Sequence, residues 1–241
     1  MVNILLSTNR FDHVGVRRKL KRFIRRRKRV LIIPLAHHED YVNDAESFRE
    51  NINKSHHDIQ DVIESFGTYG IHSKNIRILN CYGDSEELVR NKFKRADILF
   101  FMGGYPDKLM ERVDKFNLCK HIEEFDGIVM GASAGAMVQF DKFHVTPEED
   151  GQEFYYCDGL GLLSGFDVEV HYRDRQVQVD SIYRDLEERG VPIIMIPDGS
   201  GAIIYKGEKI MLGQSFVVDK SDTEIFQMFS EDKSMSSVRW L

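Results

Sequence analysis

The feature that most constrains the fold of this chain is a regular alternation of short apolar runs with longer amphipathic segments. Five of these runs are almost continuously aliphatic or aromatic, and they span residues 3–7, 29–36, 75–81, 96–104 and 127–133. Strands with so few polar positions are expected where helices cover a parallel sheet on both faces. The alternation therefore predicts an α/β fold with a mostly parallel sheet.

The segments between the apolar runs have the periodicity of helices. In residues 45–67, 85–95 and 106–125, apolar side chains recur at three- and four-residue spacing. This spacing places them on one face of a helix. The three segments are therefore predicted to be helices that connect the strands.

A strongly basic segment precedes the second apolar run. Residues 17–29 contain ten Lys or Arg residues in thirteen positions, and an arginine-rich patch of this kind can bind RNA. However, one helical stripe runs through the same segment, formed by Val16, Leu20, Phe23 and Ile24. We interpret the segment as a first helix with a solvated basic face.

Past residue 140 the alternation of apolar and amphipathic segments becomes irregular. It then resumes and predicts a strand over residues 166–170, a helix over 179–190 and a strand over 191–197. The last apolar residues alternate with polar ones around residues 206–208, which predicts an antiparallel hairpin. There is no repeat or linker, and 241 residues with 42% hydrophobic content can bury one sizeable core. We expect a single domain over residues 1–241.

The composition disfavours several classes of partner. The formal net charge is -6, whereas binding to nucleic acid or anionic lipid draws on a surplus of Lys and Arg. The N-terminal apolar run is too short for a signal peptide, and no run is long enough to span a membrane. We expect a cytoplasmic protein that binds neither nucleic acid nor membrane.

The metal-binding residue types are poorly arranged for a metal site. Three cysteines lie far apart without a CxxC spacing: Cys81, Cys119 and Cys157. This pattern indicates neither a disulfide framework nor a zinc site. Histidine pairs occur at residues 37–38 and 56–57, but adjacent side chains on a strand or helix point away from each other. We predict no metal and no other cofactor.

Residues 131–135 read Gly-Ala-Ser-Ala-Gly and follow an apolar strand directly. They fit the nucleophile elbow G-x-S-x-G, in which a sharp turn from strand to helix exposes a strained serine. A side chain in place of either glycine would collide across the turn. Ser133 is therefore a candidate nucleophile, and the amide of Ala134 could donate to an oxyanion.

A second oxyanion donor is expected from another loop at the same edge of the sheet. Gly103 and Gly104 end the run 96–104, and two glycines allow a backbone to approach a ligand closely. A simple turn between strand and helix is the alternative.

A serine nucleophile needs a base and an acid that orients the base. Only His144 and His171 follow Ser133 in the sequence. His171 ends the predicted strand 166–170, where an imidazole can be held rigidly, and His144 is the second choice. Residues 148–150 are Glu-Glu-Asp and offer three candidate acids, between which the spacing does not choose.

Three blocks in this order carry a resemblance to a known family: MGGYPDKLM at 102–110, GASAGAM at 131–137 and GLGLLSGFDVEVHY at 159–172. Over residues 30–215 the chain resembles peptidase family S51, which includes dipeptidase E and the cyanophycinases. The resemblance implies a class I glutamine-amidotransferase-like fold. This is a flavodoxin-like three-layer sandwich with the catalytic groups at the carboxyl edge of the parallel sheet.

The same resemblance implies roles for particular residues. Ser133 matches the family nucleophile, His171 its base, and Gly103 and Gly104 its oxyanion loop. The acidic member falls nearest Glu149, with Glu148 and Asp150 as the alternatives.

The activity implied is that of a serine peptidase that cleaves a small peptide next to an aspartyl residue, in the manner of a dipeptidase. Arg173 and Arg175 follow His171 closely and are candidates for binding the aspartyl carboxylate, although a solvated turn would have the same composition. Dipeptides and β-aspartyl peptides both remain open as substrates, and the chain is compatible with a homodimer.

Two other functions share some of these features. An esterase of the α/β-hydrolase type has the same elbow, but its histidine usually lies in a far C-terminal loop, whereas seventy residues without histidine follow His171. A binding module could also retain the fold without activity.

Overall fold

The computed structural model describes residues 1–38, 40–53, 56–147 and 153–226. The strands are β1 (Val2–Leu6), β2 (Val30–Ile33), β3 (Ile76–Ile78), β4 (Ile98–Phe101), β5 (Ile128–Ala132), β6 (Lys142–Val145), β7 (Tyr155–Asp158), β8 (Asp167–Val170), β9 (Ile193–Ile196), β10 (Gly201–Tyr205), β11 (Glu208–Leu212) and β12 (Phe216–Val218). The helices are α1 (Val14–Leu20), α2 (Ala45–Asn51), α3 (His57–Thr68), α4 (Glu86–Arg95), α5 (Pro106–Lys115), α6 (Cys119–Glu123), α7 (Ala134–Met137) and α8 (Gln176–Glu188). Among the described residues, no helix combines the length and apolar character that crossing a bilayer requires.

Seven strands form the central sheet in the order β11-β10-β1-β5-β4-β2-β3. The strands β1, β5, β4, β2 and β3 run parallel, and β10 and β11 join one edge in antiparallel orientation. Lys206 and Gly207 connect β10 to β11 with positive φ at both residues, as a two-residue hairpin turn requires. The predicted α/β fold, with a mostly parallel sheet and a C-terminal hairpin, is confirmed.

The central sheet is covered on both faces because successive residues of a strand point to opposite sides. On one face Leu5 and Leu31 pack in a core with side chains from α4, α5, α6 and α7. On the other face Ile4 and Ile32 pack with side chains from α1 and α3. Each such side chain, when fully buried, contributes about 1.5–3 kcal/mol, and the result is a three-layer sandwich.

A smaller sheet of three strands, in the order β12-β9-β8, lies beside the main one. Its strands β8 and β9 are parallel, with Val170 opposite Ile196. Helix α8 covers this sheet, since Ile182 and Leu186 pack against Ile193 and Met195. The strands β6 and β7 form a separate antiparallel pair in the part of the chain that the sequence pattern left irregular.

Two predicted helices are each divided in the structure. The predicted helix 106–125 stops at Lys115 because Asn117 adopts φ 53 and the N–H of Leu118 bonds to the carbonyl of Val113 at 2.9 Å. This is a left-handed helix end of the Schellman type. The predicted helix 45–67 is likewise two helices, α2 and α3.

The basic segment 17–29 is helical only as far as Leu20. Of the predicted stripe, Val16, Leu20 and Ile24 are buried and Phe23 is half-buried, while most of the Lys and Arg residues are exposed. The predicted extent is wrong, because the chain leaves the helix through a turn at residues 21–23 and enters β2.

Candidate active site

The chain turns from β5 into α7 at Ser133. Ser133 has φ 52 and ψ -120, a conformation that is costly for a residue with a side chain. Its N–H donates to the carbonyl of Leu6 at 2.9 Å, which continues the pairing of β5 with β1 by one residue. The serine is thus held in a strained backbone at the carboxyl end of the central strands.

The glycines on either side of Ser133 are required by space. A Cβ atom on Gly131 would lie 1.8 Å from the carbonyl oxygen of Gly135, and a Cβ on Gly135 would lie 2.1 Å from that of Phe101. Neither position can therefore accept a side chain without moving the backbone. The predicted collision across the turn occurs at Gly131, whereas the collision at Gly135 is with the neighbouring strand β4.

The loop after β4 lies against Ser133. A Cβ on Gly103 would be 3.1 Å from the Cβ of Ser133. Gly104 has φ 136, and a Cβ there would be 2.2 Å from the carbonyl oxygen of Ala36. Because β4 and β5 are parallel neighbours, their carboxyl ends bring this glycine pair and the serine together.

His171 follows β8 directly and is paired with a carboxylate. Its Nδ1 lies 2.6 Å from Oδ1 of Asp198, and its backbone has φ 54. Val170 and Ile196 are opposite each other in the parallel strands β8 and β9, so the residues that follow them lie side by side. An ionised carboxylate only accepts hydrogen bonds, so Nδ1 of His171 is the donor.

Asp198 remains ionised at neutral pH. Burial by itself opposes its ionisation, but hydrogen bonds from Arg173 and His171 outweigh this effect and lower the pKa of Asp198 below its usual value. A carboxylate in this state can orient the imidazole and stabilise its protonated form.

The register of the strands brings Ser133 and Asp198 to the same edge of the sheet. Leu6 of β1 pairs with Ala132 of β5 on one side and with Gly201 of β10 on the other. The residues just beyond these pairs are Ser133 and Ser200, so their main chains are about 10 Å apart, or two strand spacings, and Asp198 lies two residues before Ser200 in the same loop. In addition, α7 packs against β8, the strand that ends at His171.

No hydrogen bond joins the Ser133 hydroxyl to His171 in the part of the chain that the structure describes. Such bonds are commonly long before a substrate binds and tighten in the complex.

The sequence and the structure differ in the acid that they indicate. Glu149, together with Glu148 and Asp150, lies outside the described residues. Asp198 was missed at the sequence level, although it follows the predicted strand 191–197 and therefore stands where carboxyl-edge residues are expected. The position of Asp198 directly after a buried strand is the sequence feature that could have identified it.

The two candidate substrate-binding arginines have different surroundings. Arg173 forms an ion pair with Asp198 and is largely exposed. Arg175 is the residue that precedes the first turn of α8.

His144, the second-choice base, is buried away from solvent. Its Nδ1 lies 2.9 Å from Asp167, and its Nε2 lies 2.8 Å from Glu169. Burial opposes its charge, but the two carboxylates outweigh this and raise its pKa well above the usual value. Both ring nitrogens are therefore occupied, and His144 cannot accept a proton from Ser133.

Two groups of side chains in the described part of the chain have donor types that suit a metal ion. In the first, His144, Asp167 and Asp185, the carboxylates already face Arg189, whose nitrogens lie 2.7 Å from each of them. A guanidinium thus supplies the positive charge that a metal would bring.

The second group is His56, His57 and Asp58, at the start of α3. The imidazole rings of the two histidines stack with centroids 4.6 Å apart, so the prediction that adjacent histidine side chains point away from each other is wrong here. They converge because His56 is still in an extended conformation and His57 begins the helix. The positive end of α3 disfavours a cation there.

Comparisons with known proteins also indicate a peptidase. A family model described as Peptidase family S51 matches residues 4–213. No curated protein matches the chain significantly. A crystal structure of a candidate peptidase E from Listeria monocytogenes EGD-e has a TM-score of 0.62 and 18% identity, covering 87% of this chain and 96% of its own. The structure of a peptidase from an acI-B1 actinobacterium has a TM-score of 0.59 and 19% identity, covering 90% and 96%. At these identities the structural likeness concerns the fold.

Proposed function

Since this chain belongs to peptidase family S51 and is a serine peptidase, we propose that it cleaves a peptide amide bond with Ser133 as nucleophile and His171 as base. Asp198 orients the base in this proposal. The observation that carries it is that Ser133, with a strained backbone, and the 2.6 Å pair of His171 and Asp198 all follow the carboxyl ends of parallel strands. Strained backbone conformations of this kind are concentrated at active sites and ligand-binding positions.

The proton transfers follow from the contacts of His171. Its Nδ1 is committed to Asp198, so Nε2 is the atom that takes the proton of the Ser133 hydroxyl as the oxygen attacks the substrate carbonyl. The imidazolium then gives that proton to the leaving amine, and an acyl-enzyme remains. Water, deprotonated by the same nitrogen, hydrolyses the acyl-enzyme and restores Ser133.

The oxyanion is proposed to bind two backbone amides. Ala134 is the first residue of α7, where an N–H has no acceptor within the helix. Gly103 lies beside the side chain of Ser133, since a Cβ on Gly103 would be 3.1 Å from that of Ser133, and Gly104 follows it. Amides of Gly104 and Ala134 would stabilise the charge that develops on the carbonyl oxygen.

A cavity of about 350 Å³ adjoins the glycine pair and could receive part of the substrate. Its lining includes Tyr41, Tyr105, Met102 and four histidines, and no Lys or Arg among the described residues. Burial and the nearby Arg112 lower the pKa of one of these, His37, to about 4, so this ring is neutral at pH 7. Recognition of an aspartyl carboxylate is therefore proposed for the other side of the serine, at Arg173 and Arg175.

The substrate in this proposal is a small peptide with an aspartyl residue next to the cleaved bond, with no nucleic acid or membrane as partner. Cytoplasmic action fits the three free cysteines of the described chain. Family membership argues against the α/β-hydrolase esterase.

The test is a screen of Asp-Xaa dipeptides and β-aspartyl peptides against the wild type, Ser133→Ala and His171→Ala. Ser73→Ala is a matched control, because Ser73 precedes β3 at the opposite, amino edge of the sheet. We expect cleavage of at least one peptide class by the wild type and the control, and a loss on the order of 10³-fold or more in the two site variants. Equal cleavage by Ser133→Ala would show that the nucleophile is misassigned.

Labelling with a fluorophosphonate separates an enzyme from a binding module on the same fold. Modification of Ser133, located by peptide mass spectrometry, is expected in the wild type. A wild type that is neither labelled nor active on any peptide would favour the binding module.

A further inference from the structure

The backbone of His171 has an unfavourable conformation in the structure where its imidazole pairs with Asp198. His171 has φ 54, a left-handed value that residues with a side chain adopt at a cost. The next residue, Tyr172, returns to the β-ladder, since its N–H donates to the carbonyl of Ile196 at 3.2 Å. Something outside this turn must therefore stabilise the conformation of its first residue.

Gln178, in the first turn of α8, makes contacts on both sides of this turn. Its Nε2 donates to the carbonyl oxygen of His171 at 3.2 Å. Its Oε1 accepts from the N–H of Arg173 at 2.9 Å. One side chain, 1% exposed, thus satisfies the main-chain groups that flank the bend after His171.

The amide of Gln178 is itself fixed in one orientation. Its Nε2 also donates to Oε1 of Glu169 at 2.7 Å, so both amide hydrogens are used and the oxygen must face Arg173. Glu169 in turn is held by Nε2 of His144 at 2.8 Å and by the hydroxyl of Thr146 at 2.9 Å. A flipped amide would place its oxygen against the carboxylate of Glu169, which is repulsive.

We propose that Gln178 is a positioning residue for His171: it holds the strained turn that aims the imidazole at Asp198 and Ser133, and Glu169 fixes its orientation. This inference rests on the proposed function of His171 as the base. The side chain does not touch the reacting atoms, so its effect is expected in the transition state more than in substrate binding.

The test compares two variants with the full-length wild type. In Gln178→Glu the protonated acid has one donor where the amide has two, so the bonds to Glu169 and His171 cannot both persist. In Gln178→Asn the amide is kept but shortened by one methylene. Ser181→Ala is the control, because Ser181 is a buried polar residue of the same helix whose hydroxyl bonds to Val177.

Two readouts are measured for each protein: kcat and KM on the peptide found by the screen, and the low-field NMR resonance of the His171 Nδ1 proton, assigned with His171→Ala. We expect kcat to fall roughly tenfold or more, with KM changed less than about twofold, in both Gln178 variants. We expect the resonance to shift or disappear in the same two variants. Ser181→Ala should keep both at wild-type values.

An unchanged resonance together with kcat near the wild-type value in a folded Gln178 variant would overturn the proposal. If Gln178→Glu fails to fold, the same two readouts on Gln178→Asn test the proposal. If the wild type cleaves no peptide and is not labelled, the proposed function fails. The resonance still reports whether Gln178 positions the ring.

Discussion

The Nδ1 atom of His171 lies 2.6 Å from Oδ1 of Asp198, which is 27 residues further along the chain. The two residues follow parallel strands whose last members, Val170 and Ile196, are directly opposite each other. Their proximity is therefore a property of the small sheet rather than of any local motif. It places the acid of the proposed triad in the loop after β9.

The first prediction concerns this acid. Asp198→Asn should reduce kcat/KM on the order of 10³-fold or more, because an amide can stabilise the wrong tautomer of His171 and cannot support an imidazolium. The measurement is steady-state kinetics on the cleaved peptide.

The matched comparison is Glu149→Gln, which changes the acid that the family resemblance indicates. We expect this variant to retain activity within about threefold of the wild type. A large loss in Glu149→Gln with little loss in Asp198→Asn would return the role to the acidic residues 148–150.

The second prediction concerns the strain at Ser133. Ser133→Gly should be more stable than Ser133→Ala by about 1 kcal/mol, because glycine adopts φ 52 without penalty. Both variants lose the hydroxyl and should be inactive, so the difference isolates the backbone. It should appear as a thermal midpoint about 2–4 °C higher for the glycine variant. Equal midpoints would mean that the turn is not strained.

The third prediction concerns the space around the elbow. Gly131→Ala should destabilise the fold by about 3 kcal/mol or prevent folding, because its methyl group would overlap the carbonyl of Gly135. Gly67→Ala is the control, since a Cβ at this position in α3 has no neighbour within 4 Å and alanine favours a helix. Urea denaturation of both variants gives the comparison. A Gly131→Ala protein as stable as the wild type would contradict the geometry.

The fourth prediction concerns the buried cation His144. Replacing it by Gln removes the cation that faces Glu169, whereas Asp167 keeps its ion pair with Arg189. The free energy of unfolding at pH 6 should fall by about 3–5 kcal/mol. His72→Gln, at an exposed position, should change it by less than about 0.5 kcal/mol.

The difference in the free energy of unfolding between the wild type and His144→Gln should become smaller as pH rises. The folded-state pKa of His144 is raised above its ordinary value near 6.5. The contribution of His144 to the free energy of unfolding is therefore fully present below about pH 6.5 and is lost as pH rises through the raised pKa. Denaturation of wild type and His144→Gln across alkaline pH should show the gap between them narrowing. A gap that widens with pH would mean that His144 is neutral in the folded protein.

The central sheet and the elbow could be predicted from local patterns. Apolar runs such as 96–104 and 127–133 are typical of buried parallel strands. Gly131 is required by a contact within the elbow itself, with the carbonyl of Gly135, whereas Gly135 is required by the carbonyl of Phe101 on the neighbouring strand β4. The end of α5 at Lys115 was not predictable from periodicity, because the apolar stripe continues through it while Asn117 turns left-handed.

The sequence by itself determined the layered fold and the sharp turn at Ser133, since both depend on side-chain size and periodicity within short segments. Only the tertiary structure decided which acid faces His171, that His144 is a buried cation, and that Gln178 holds the turn after His171. These contacts join residues on different strands and helices. Their distances depend on strand register and helix packing, which no short stretch of sequence specifies.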